Sequence, residues 1–343
     1  MDKKQSTKEK SVKRGTKAAT EKKSNQEKKL EDFSVDDLLL ELKAREALSN
    51  GNRGIHKAMA TPALEKFETA DITTVLHDKQ RVIYGVDDRR DMYQVTDPAI
   101  LNDADSVVVL IDKDQIIDNG NGTSTITGTK FAIRNNLCSQ EKFRDQLCAG
   151  FCSGFLVAAD VIATAGHCVN PGSLPLAETR FVFGFRMTSA TNARTVIPNT
   201  EIYRGIQVID KRHTQNGPDW ALVRLDRPVT NHPVVSIRRA GKIANNQAVH
   251  VVGHPVGLPT KYAPNAQVRE NNAPAFFVAN LDTYGGNSGS PVFNSNDHTV
   301  EGILVRGETD FVSAGNCNVS NVCPTSGCSG ESVNRTTEFS HLI

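Results

Sequence analysis

The sequence predicts an all-β protein built from two six-stranded antiparallel β-barrels and preceded by a short N-terminal helical segment. From about Val82 onward, short β-branched runs such as "SVVVLI", "RFVFGFRM" and "WALVRL" alternate with Gly, Asn, Asp and Pro. Frequent short strands separated by turn residues are typical of barrels and sandwiches rather than of βαβ units. About a dozen such runs follow one another to the C-terminus, enough for two barrels of about six strands each, approximately 82–230 and 231–343.

The N-terminal tail, residues 1–30, differs from the rest in its charge. Residues 1–29 hold eleven Lys or Arg and four Asp or Glu, a balance of +7, which leaves −6 for the rest of a chain with net charge +1. Such a lysine-rich, apolar-poor segment cannot offset its ordering entropy, so we expect disorder. The alternative is a tether to nucleic acid or to an anionic membrane, which salt would weaken. No nucleic-acid partner is expected from the rest of the chain.

Residues 31–81 are expected to form a helical pro-segment or docking segment. In "FSVDDLLLELKAREAL", a capping box from Ser34 to Asp37 precedes apolar residues at helical spacing, which predicts a helix over 34–48. The composition changes again at about residue 82, and "KQR" precedes "VIYG" there. We therefore expect that a cut between Arg81 and Val82 would release residues 1–81.

Composition and cysteines limit the class of protein. The sequence contains no run of eighteen apolar residues, so it predicts no membrane-spanning helix. A single Trp and an aromatic content of 6% argue against a base-stacking platform. The lysines of the tail have no apolar stretch behind them, which argues against a secretory signal. Clustered cysteines instead indicate an oxidising compartment, so the localisation stays open. The seven cysteines are Cys138, Cys148, Cys152, Cys168, Cys317, Cys323 and Cys328. They lack CxxC metal spacing, and three bridges would leave one unpaired.

Three separate motifs supply the parts of an acyl-transfer site. "TAGHC" places His167 after a strand, "GPDWALVRL" places Asp219 at the start of another, and "GGNSGSP" places Ser288 in a glycine loop. A hydroxyl is a poor nucleophile until an imidazole takes its proton, and the imidazole needs a carboxylate to hold its tautomer. The glycines allow the backbone N–H groups of Gly286 and Ser288 to form an oxyanion hole.

Each of these residues also has an ordinary structural interpretation. His167 as a buried histidine, Asp219 as a strand-entry residue and Ser288 as a turn residue are each plausible alone, whereas their joint occurrence favours catalysis. His254, in "VVGHPVG", is a competing base, and His213 and Asp210 are weaker candidates. None of these three has a nucleophile in a matching motif beside it.

Together the motifs resemble those of the trypsin-like serine peptidases. "CSGFLVAADVIATAGHC" is similar to the strand, turn and strand before the catalytic histidine of that family, and "DWALVRL" and "GGNSGSP" are similar to its aspartate and serine motifs in the same order. "NSGSP" and "VIYGVDDR" are closest to the bacterial branch that includes the glutamyl endopeptidases. The resemblance implies the two-barrel fold, peptide or protein substrates, an acyl-enzyme intermediate, no cofactor or metal, and a disulfide between Cys152 and Cys168.

The resemblance also implies a substrate pocket that contains Asp282 and Thr283. In trypsins, an aspartate six residues before the nucleophile pairs with the Arg or Lys after which the enzyme cuts, which favours basic substrates here. Glutamyl endopeptidases carry a histidine where this chain has Leu304, which weakens an acidic preference, although Arg306 nearby offers a positive charge. Both preferences are kept as hypotheses.

Activation and function both have alternatives. Asn287 stands where trypsins have the aspartate that pairs with a newly cut amino terminus, so activation by cutting after Arg81 is a separate hypothesis. One rival function is an inactive binding module that keeps the peptidase shape. Another is a processing protease whose residues 1–81 dock to a recruiting partner.

Overall fold

The computed structural model describes residues 29–30, 33, 35–49, 60–69, 71–72, 83–170, 173–214, 217–307 and 310–343. The helices in these stretches are α1 Val35–Ser49, α2 Pro98–Asp105 and α3 Phe131–Arg134. The strands before the second barrel are β1 Ile83–Tyr84, β2 Arg90–Asp91, β3 Val107–Asp112, β4 Ile116–Asp118, β5 Thr123–Ile126, β6 Thr129–Lys130, β7 Leu147–Cys148, β8 Gly150–Ala158, β9 Val161–Thr164, β10 Thr179–Phe183, β11 Val196–Pro198, β12 Ile202–His213 and β13 Asp219–Leu225. The strands after them are β14 Ala248–Gly253, β15 Lys261–Glu270, β16 Phe276–Ala279, β17 Pro291–Asn294, β18 Val300–Arg306, β19 Phe311–Ser313, β20 Asn318–Ser320, β21 Val322–Cys323 and β22 Glu331–Arg335.

The N-terminal segment has a small core of its own. Helix α1 lies one residue later at each end than the predicted 34–48, and Ser34, the expected cap, lies outside the described residues. Buried apolar residues pack together in this segment, among them Leu30, which ends the predicted tail. The side chain of Glu41 is 1% exposed and accepts from Arg45 Nε and from Thr61 N. Residues 1–28 and the Arg81–Val82 bond lie outside the described part of the chain.

The first barrel is closed by six strands in the order β10, β12, β13, β9, β8 and β3. Neighbouring strands run antiparallel, and β3 pairs with both β8 and β10 to complete the circle. The inward-facing side chains are large and fully buried, and they include Phe155, Phe181, Phe183 and Trp220. A closed barrel leaves no sheet edge open, and alternate residues of every strand face the interior.

The second barrel is closed in the order β14, β17, β18, β22, β16 and β15, with β14 pairing back to β15. Strand β2 adds to the outside of β15, through the pairs Lys261↔Asp91 and Tyr262↔Arg90. The two closed six-stranded antiparallel barrels and the N-terminal helical segment confirm the predicted fold class.

Three disulfides join segments of the described chain. Cys138 bonds to Cys317 across 179 positions, Cys152 bonds to Cys168 across 16, and Cys323 bonds to Cys328 across 5. Cys148 is the remaining, buried thiol, and burial raises its pKa to about 12. A thiol with so high a pKa is a poor nucleophile.

Candidate active site

His167 lies in a 3₁₀ turn, Gly166–Val169, directly after β9. The next residue, Cys168, is bonded to Cys152 of β8, which ties the turn to the barrel wall. A Cβ at Gly166 would lie 2.3 Å from the carbonyl oxygen of Arg212, so only glycine allows the turn to approach β12 this closely. The imidazole that results is 24% exposed.

Asp219 begins β13, and its side chain is 1% exposed. Its Oδ1 accepts from His167 N at 3.0 Å, and its Oδ2 is 2.7 Å from His167 Nδ1. Burial alone would raise the pKa of this carboxyl group, but the charge and hydrogen bond of His167 outweigh it and lower the pKa to about 2. The second barrel contributes Asn334, whose Oδ1 accepts from Asp219 N at 2.9 Å.

Ser288 lies in the loop between β16 and β17, and its Oγ is 2.7 Å from His167 Nε2. Gly286 and Gly289 on either side have φ of +81° and +90°, which non-glycine residues rarely adopt. The Ser288 carbonyl accepts from Ser153 N at 2.8 Å, so strand β8 of the first barrel supports the loop. The structure thus brings the side chains of positions 167, 219 and 288 into one hydrogen-bonded chain where the two barrels meet.

The expected oxyanion donors belong to the same glycine loop. The carbonyl of Gly286 accepts from Ser153 Oγ at 3.2 Å, and the carbonyl of Gly285 accepts from Val256 N. Because a planar trans peptide points its C=O and N–H in opposite directions, the Gly286 N–H is directed away from Val256. A Cβ at Gly286 would lie 2.9 Å from Val256 N, which is a second reason for glycine at this position.

The two expected pocket residues are buried against neighbouring strands. Asp282 is 5% exposed, and its Oδ1 accepts from Tyr84 N of β1 at 2.7 Å. Burial raises the pKa of this carboxyl group to about 7, although the Tyr84 hydrogen bond and the charge of Arg89 act against the rise. Thr283 is fully buried and donates from Oγ1 to Glu331 Oε2 at 3.2 Å.

The residues just before the glycine loop have hydrogen-bond and cation–π partners that the sequence does not predict. Gly285 N donates to Asp310 Oδ2 at 2.8 Å, and Tyr284 Oη lies 2.5 Å from Ser320 Oγ. The guanidinium of Arg89 lies 3.8 Å from the centre of the Tyr284 ring, where a cation is attracted by the ring face. These partners lie 25 to 195 positions from the loop and carry no motif of their own, so no signal in the sequence identifies them.

The weaker candidate bases lie elsewhere or have other partners. His254 is 1% exposed, its Nδ1 donates to Leu258 O at 2.9 Å, and burial lowers its pKa to about 3. The His213 ring is 5.9 Å from that of His167 and contacts Asn170. Asp210 is exposed and accepts the adjacent N–H of Lys211.

The ligand atoms of His167, His213 and Asp219 lie within 4.8 Å of one another, a spacing at which a metal ion could bind.

The residues considered for an acidic substrate are also engaged within the protein. Arg306 Nη2 donates to the carbonyls of Thr214 at 3.1 Å and Gly217 at 2.7 Å, and so braces the turn before Asp219. Burial lowers the pKa of Arg306, and the charge of Asp219 opposes that fall. Leu304 is fully buried in the core of the second barrel.

A histidine between an aspartate and a serine is the arrangement of the Ser-His-Asp hydrolases, which recurs on several unrelated folds. Residues 152–303 match the family model of the trypsin-like peptidase domain. This match covers part of both barrels, and it supports peptidase activity.

Solved structures similar to this chain include several proteases. The Vibrio cholerae VesB protease is 13% identical over 77% of this chain and 67% of its own, with a TM-score of 0.45. Human heparin binding protein is 13% identical over 75% of this chain and 95% of its own, with a TM-score of 0.47. A Glu endopeptidase is 16% identical over 76% of this chain and 98% of its own, with a TM-score of 0.44. No curated protein sequence matches the chain.

The helices of the described residues include none that is both long and apolar enough to cross a membrane.

Proposed function

We propose that the chain is a serine endopeptidase that acts through Ser288, His167 and Asp219. The observation that carries the proposal is the pair of 2.7 Å contacts that His167 makes, from Nδ1 to Asp219 Oδ2 and from Nε2 to Ser288 Oγ. These distances are those expected between a nucleophile, its base and the residue that orients the base. No other function receives support from a specific contact in the described residues.

In the proposed reaction, His167 Nε2 takes the Ser288 proton while Oγ attacks the scissile carbonyl carbon. The N–H groups of Gly286 and Ser288 hydrogen-bond the oxygen as it becomes negative. The imidazolium then protonates the leaving amine, the C–N bond breaks, and an acyl-enzyme remains until water, deprotonated by His167, releases the acid. Asp219 keeps the proton on Nδ1, so that Nε2 faces Ser288 as an acceptor.

We further propose cleavage after Arg or Lys, with Asp282 as the selecting residue. One oxygen of Asp282 accepts from Tyr84 N, and its pKa of about 7 keeps much of the carboxyl group neutral below that pH. Preference for basic residues should therefore increase as the pH rises through about 7. An acidic preference has less support, because Arg306 is held by two backbone carbonyls.

A peptide library tests this preference. Cleavage after Arg and Lys, relative to uncharged residues, should be higher at about pH 8 than at about pH 6, and Asp282→Asn should remove the difference. Asp145→Asn, at an aspartate whose side chain is 71% exposed, is the matched control. A library profile dominated by Glu or Asp would refute the basic preference while leaving the serine mechanism untouched.

Residues 1–81 are proposed as a pro-segment or a docking segment for a recruiting partner. Tyr84, whose N–H donates to Asp282, lies two residues after Val82, so a cut before Val82 would change the chain close to the proposed pocket. N-terminal sequencing of active protein should find Val82 first. Active protein that still begins at Met1 would rule out activation by this cut.

Ser288→Ala tests the catalytic mechanism itself. Turnover of peptide substrates should fall by about 10⁶, by analogy with loss of the nucleophile in another serine protease, while the protein stays folded. A fluorophosphonate probe should label the wild type and Ser313→Ala, which changes an exposed serine, but not Ser288→Ala. Absence of labelling in folded, processed wild type would instead favour the inactive binding module.

A further inference from the structure

Asp103, His250 and His298 form a second cluster of titratable side chains, which shares no residue with the proposed catalytic site. Asp103 belongs to α2, His250 to β14, and His298 to the turn between β17 and β18. His250 Nε2 lies 3.1 Å, and His298 Nδ1 lies 2.5 Å, from Asp103 Oδ2. The ligand atoms of all three lie within 4.8 Å of one another.

The local structure holds both imidazoles toward the carboxylate. His298 has φ of +59°, an unusual conformation for a residue with a Cβ, and its N–H donates to Asn294 O at 2.9 Å. His250 lies stacked on Phe293 with ring centres 5.1 Å apart, and its Nδ1 is 3.1 Å from Ser295 Oγ. A partner on Nδ1 orients the ring so that Nε2 faces the cluster, as the outer hydrogen bonds of metal ligands do.

Burial separates this cluster from an ordinary surface ion pair. The side chains of Asp103 and His250 are 5% and 1% exposed, whereas that of His298 is 30% exposed. Two fixed ligands in the interior and a third at the surface leave one side through which an ion and a water molecule could enter. Nitrogen and carboxylate ligands that leave a fourth position open are a typical zinc set.

We propose that Asp103 Oδ2, His250 Nε2 and His298 Nδ1 bind a Zn²⁺ ion, with water as the fourth ligand. Zinc bonds of about 2.0–2.2 Å place neighbouring tetrahedral ligands about 3.3 Å apart. The 3.1 Å pair of Asp103 and His250 already fits this spacing, and the 2.5 Å pair of Asp103 and His298 must open by less than about 1 Å. The ligand nitrogens of the two histidines lie within 4.8 Å of each other and must also adopt this spacing. Zinc takes the lone pairs of His250 Nε2 and His298 Nδ1, so the proton of each neutral imidazole must lie on the other ring nitrogen, and an imidazolium would release its second proton to solvent. On His250 that other nitrogen, Nδ1, is 3.1 Å from Ser295 Oγ. Cysteine spacing predicted no zinc site, and it could not indicate this one, because His250 and His298 are 147 and 195 positions from Asp103.

A zinc ion at this position would link α2 directly to the second barrel. The three ligands come from elements that are distant in sequence, and an ion that binds only the folded state stabilises it by an amount that grows with the logarithm of the ion concentration relative to Kd. The proposed zinc therefore stabilises the fold and takes no part in peptide hydrolysis.

The test measures zinc binding without using activity. Full-length protein carrying His213→Gln, which removes one ligand of the possible metal cluster at His167, His213 and Asp219, is titrated with Zn²⁺ alone by calorimetry, and bound zinc is counted after desalting. We expect one zinc per chain, and a Tm increase of roughly 5 °C at a hundredfold excess over Kd. In the same background, His298→Asn should weaken binding at least about 100-fold. Asn tolerates the positive φ but is too short to reach Asp103.

Two further variants keep the test decisive. Ser295→Ala removes only the hydroxyl group beside His250 Nδ1 and should weaken zinc binding about 10-fold. His341→Asn, at an exposed histidine near the C-terminus, is the matched control and should bind as the parent does. If the His213→Gln parent retains no zinc, or if it retains the same amount with and without His298→Asn, the three side chains form hydrogen bonds only.

Discussion

Asp219 and Asp282 are two nearly buried aspartates of the proposed active site, and their pKa values are shifted in opposite directions. Asp219 begins a strand of the first barrel and has a pKa lowered to about 2, whereas Asp282 precedes the glycine loop of the second and has a pKa raised to about 7. Their exposures, 1% and 5%, are too similar to account for the difference. Burial opposes the charged form in both, so the partner of each carboxyl group decides its state.

The two sets of partners differ in charge. Asp219 accepts both the ring N–H and the backbone N–H of His167, a side chain that can carry a positive charge. Asp282 accepts one neutral backbone N–H, from Tyr84, and the negative charges of Asp87 and Asp88 offset part of the effect of Arg89. A buried carboxyl group therefore stays ionised where hydrogen bonds and nearby positive charge together outweigh the cost of burial.

The largest expected effect comes from replacing Asp219, the charged member of the pair. Asp219→Asn should lower kcat by about 10⁴, because an amide no longer holds the His167 tautomer that accepts from Ser288. Peptide hydrolysis measures the loss, and circular dichroism checks the fold. Asp210→Asn, at an exposed aspartate of the neighbouring strand, should keep full activity. A loss of less than about tenfold in Asp219→Asn would remove this carboxylate from the mechanism.

The second effect is a loss of stability as the pH rises, which is expected at Asp282 but not at Asp219. Because its pKa is raised from 3.8 to about 7 on folding, the folded state holds a proton that the unfolded state has lost between these values. The contribution of Asp282 to the free energy of unfolding therefore falls with pH across this window, by up to about 1.4 kcal/mol per pH unit. Asp282→Asn does not titrate, so its stability relative to the wild type should increase from about pH 4 to about pH 7 and then level off.

Denaturation in urea at several pH values measures this difference. The control is the opposite case, Asp219, whose lowered pKa adds stability above the ordinary pKa of 3.8 and loses it as the pH falls toward 2. Parallel pH curves for the wild type and Asp282→Asn between about pH 4 and about pH 7 would contradict the raised pKa.

The smallest effect is expected at Asp310, which positions the loop without touching the reacting atoms. Its Oδ2 accepts from Gly285 N at 2.8 Å, directly before the proposed oxyanion donor Gly286. Asp310→Asn weakens a charge-assisted hydrogen bond and should reduce kcat about 10- to 100-fold, with KM changed less. Asp145→Asn, at the exposed aspartate, serves again as control. A lower Tm, with a normal kcat for the molecules that stay folded, would indicate a purely structural role.

Much of the catalytic proposal was visible in local sequence. "TAGHC", "DWALVRL" and "GGNSGSP" each combine a reactive residue with the strand or glycine turn that presents it, and alternating turns and β-branched runs predicted the barrels. Such features depend on neighbouring residues, so they can be recognised in a single sequence. By contrast, nothing near Asn334 or Asp310 marks them as partners of Asp219 and Gly285.

The sequence by itself determined the fold class, the helix before it and the three residues proposed for catalysis, because strand periodicity and turn chemistry act over a few positions. Only the tertiary structure decided which buried aspartate is charged, which loop Asp310 supports, and that Asp103 meets His250 and His298. These properties depend on contacts between residues separated by 25 to 198 positions, which only the packing of strands and loops in the folded chain brings together. A pKa or a metal site depends on those neighbours in space, and neighbours in the chain do not define it.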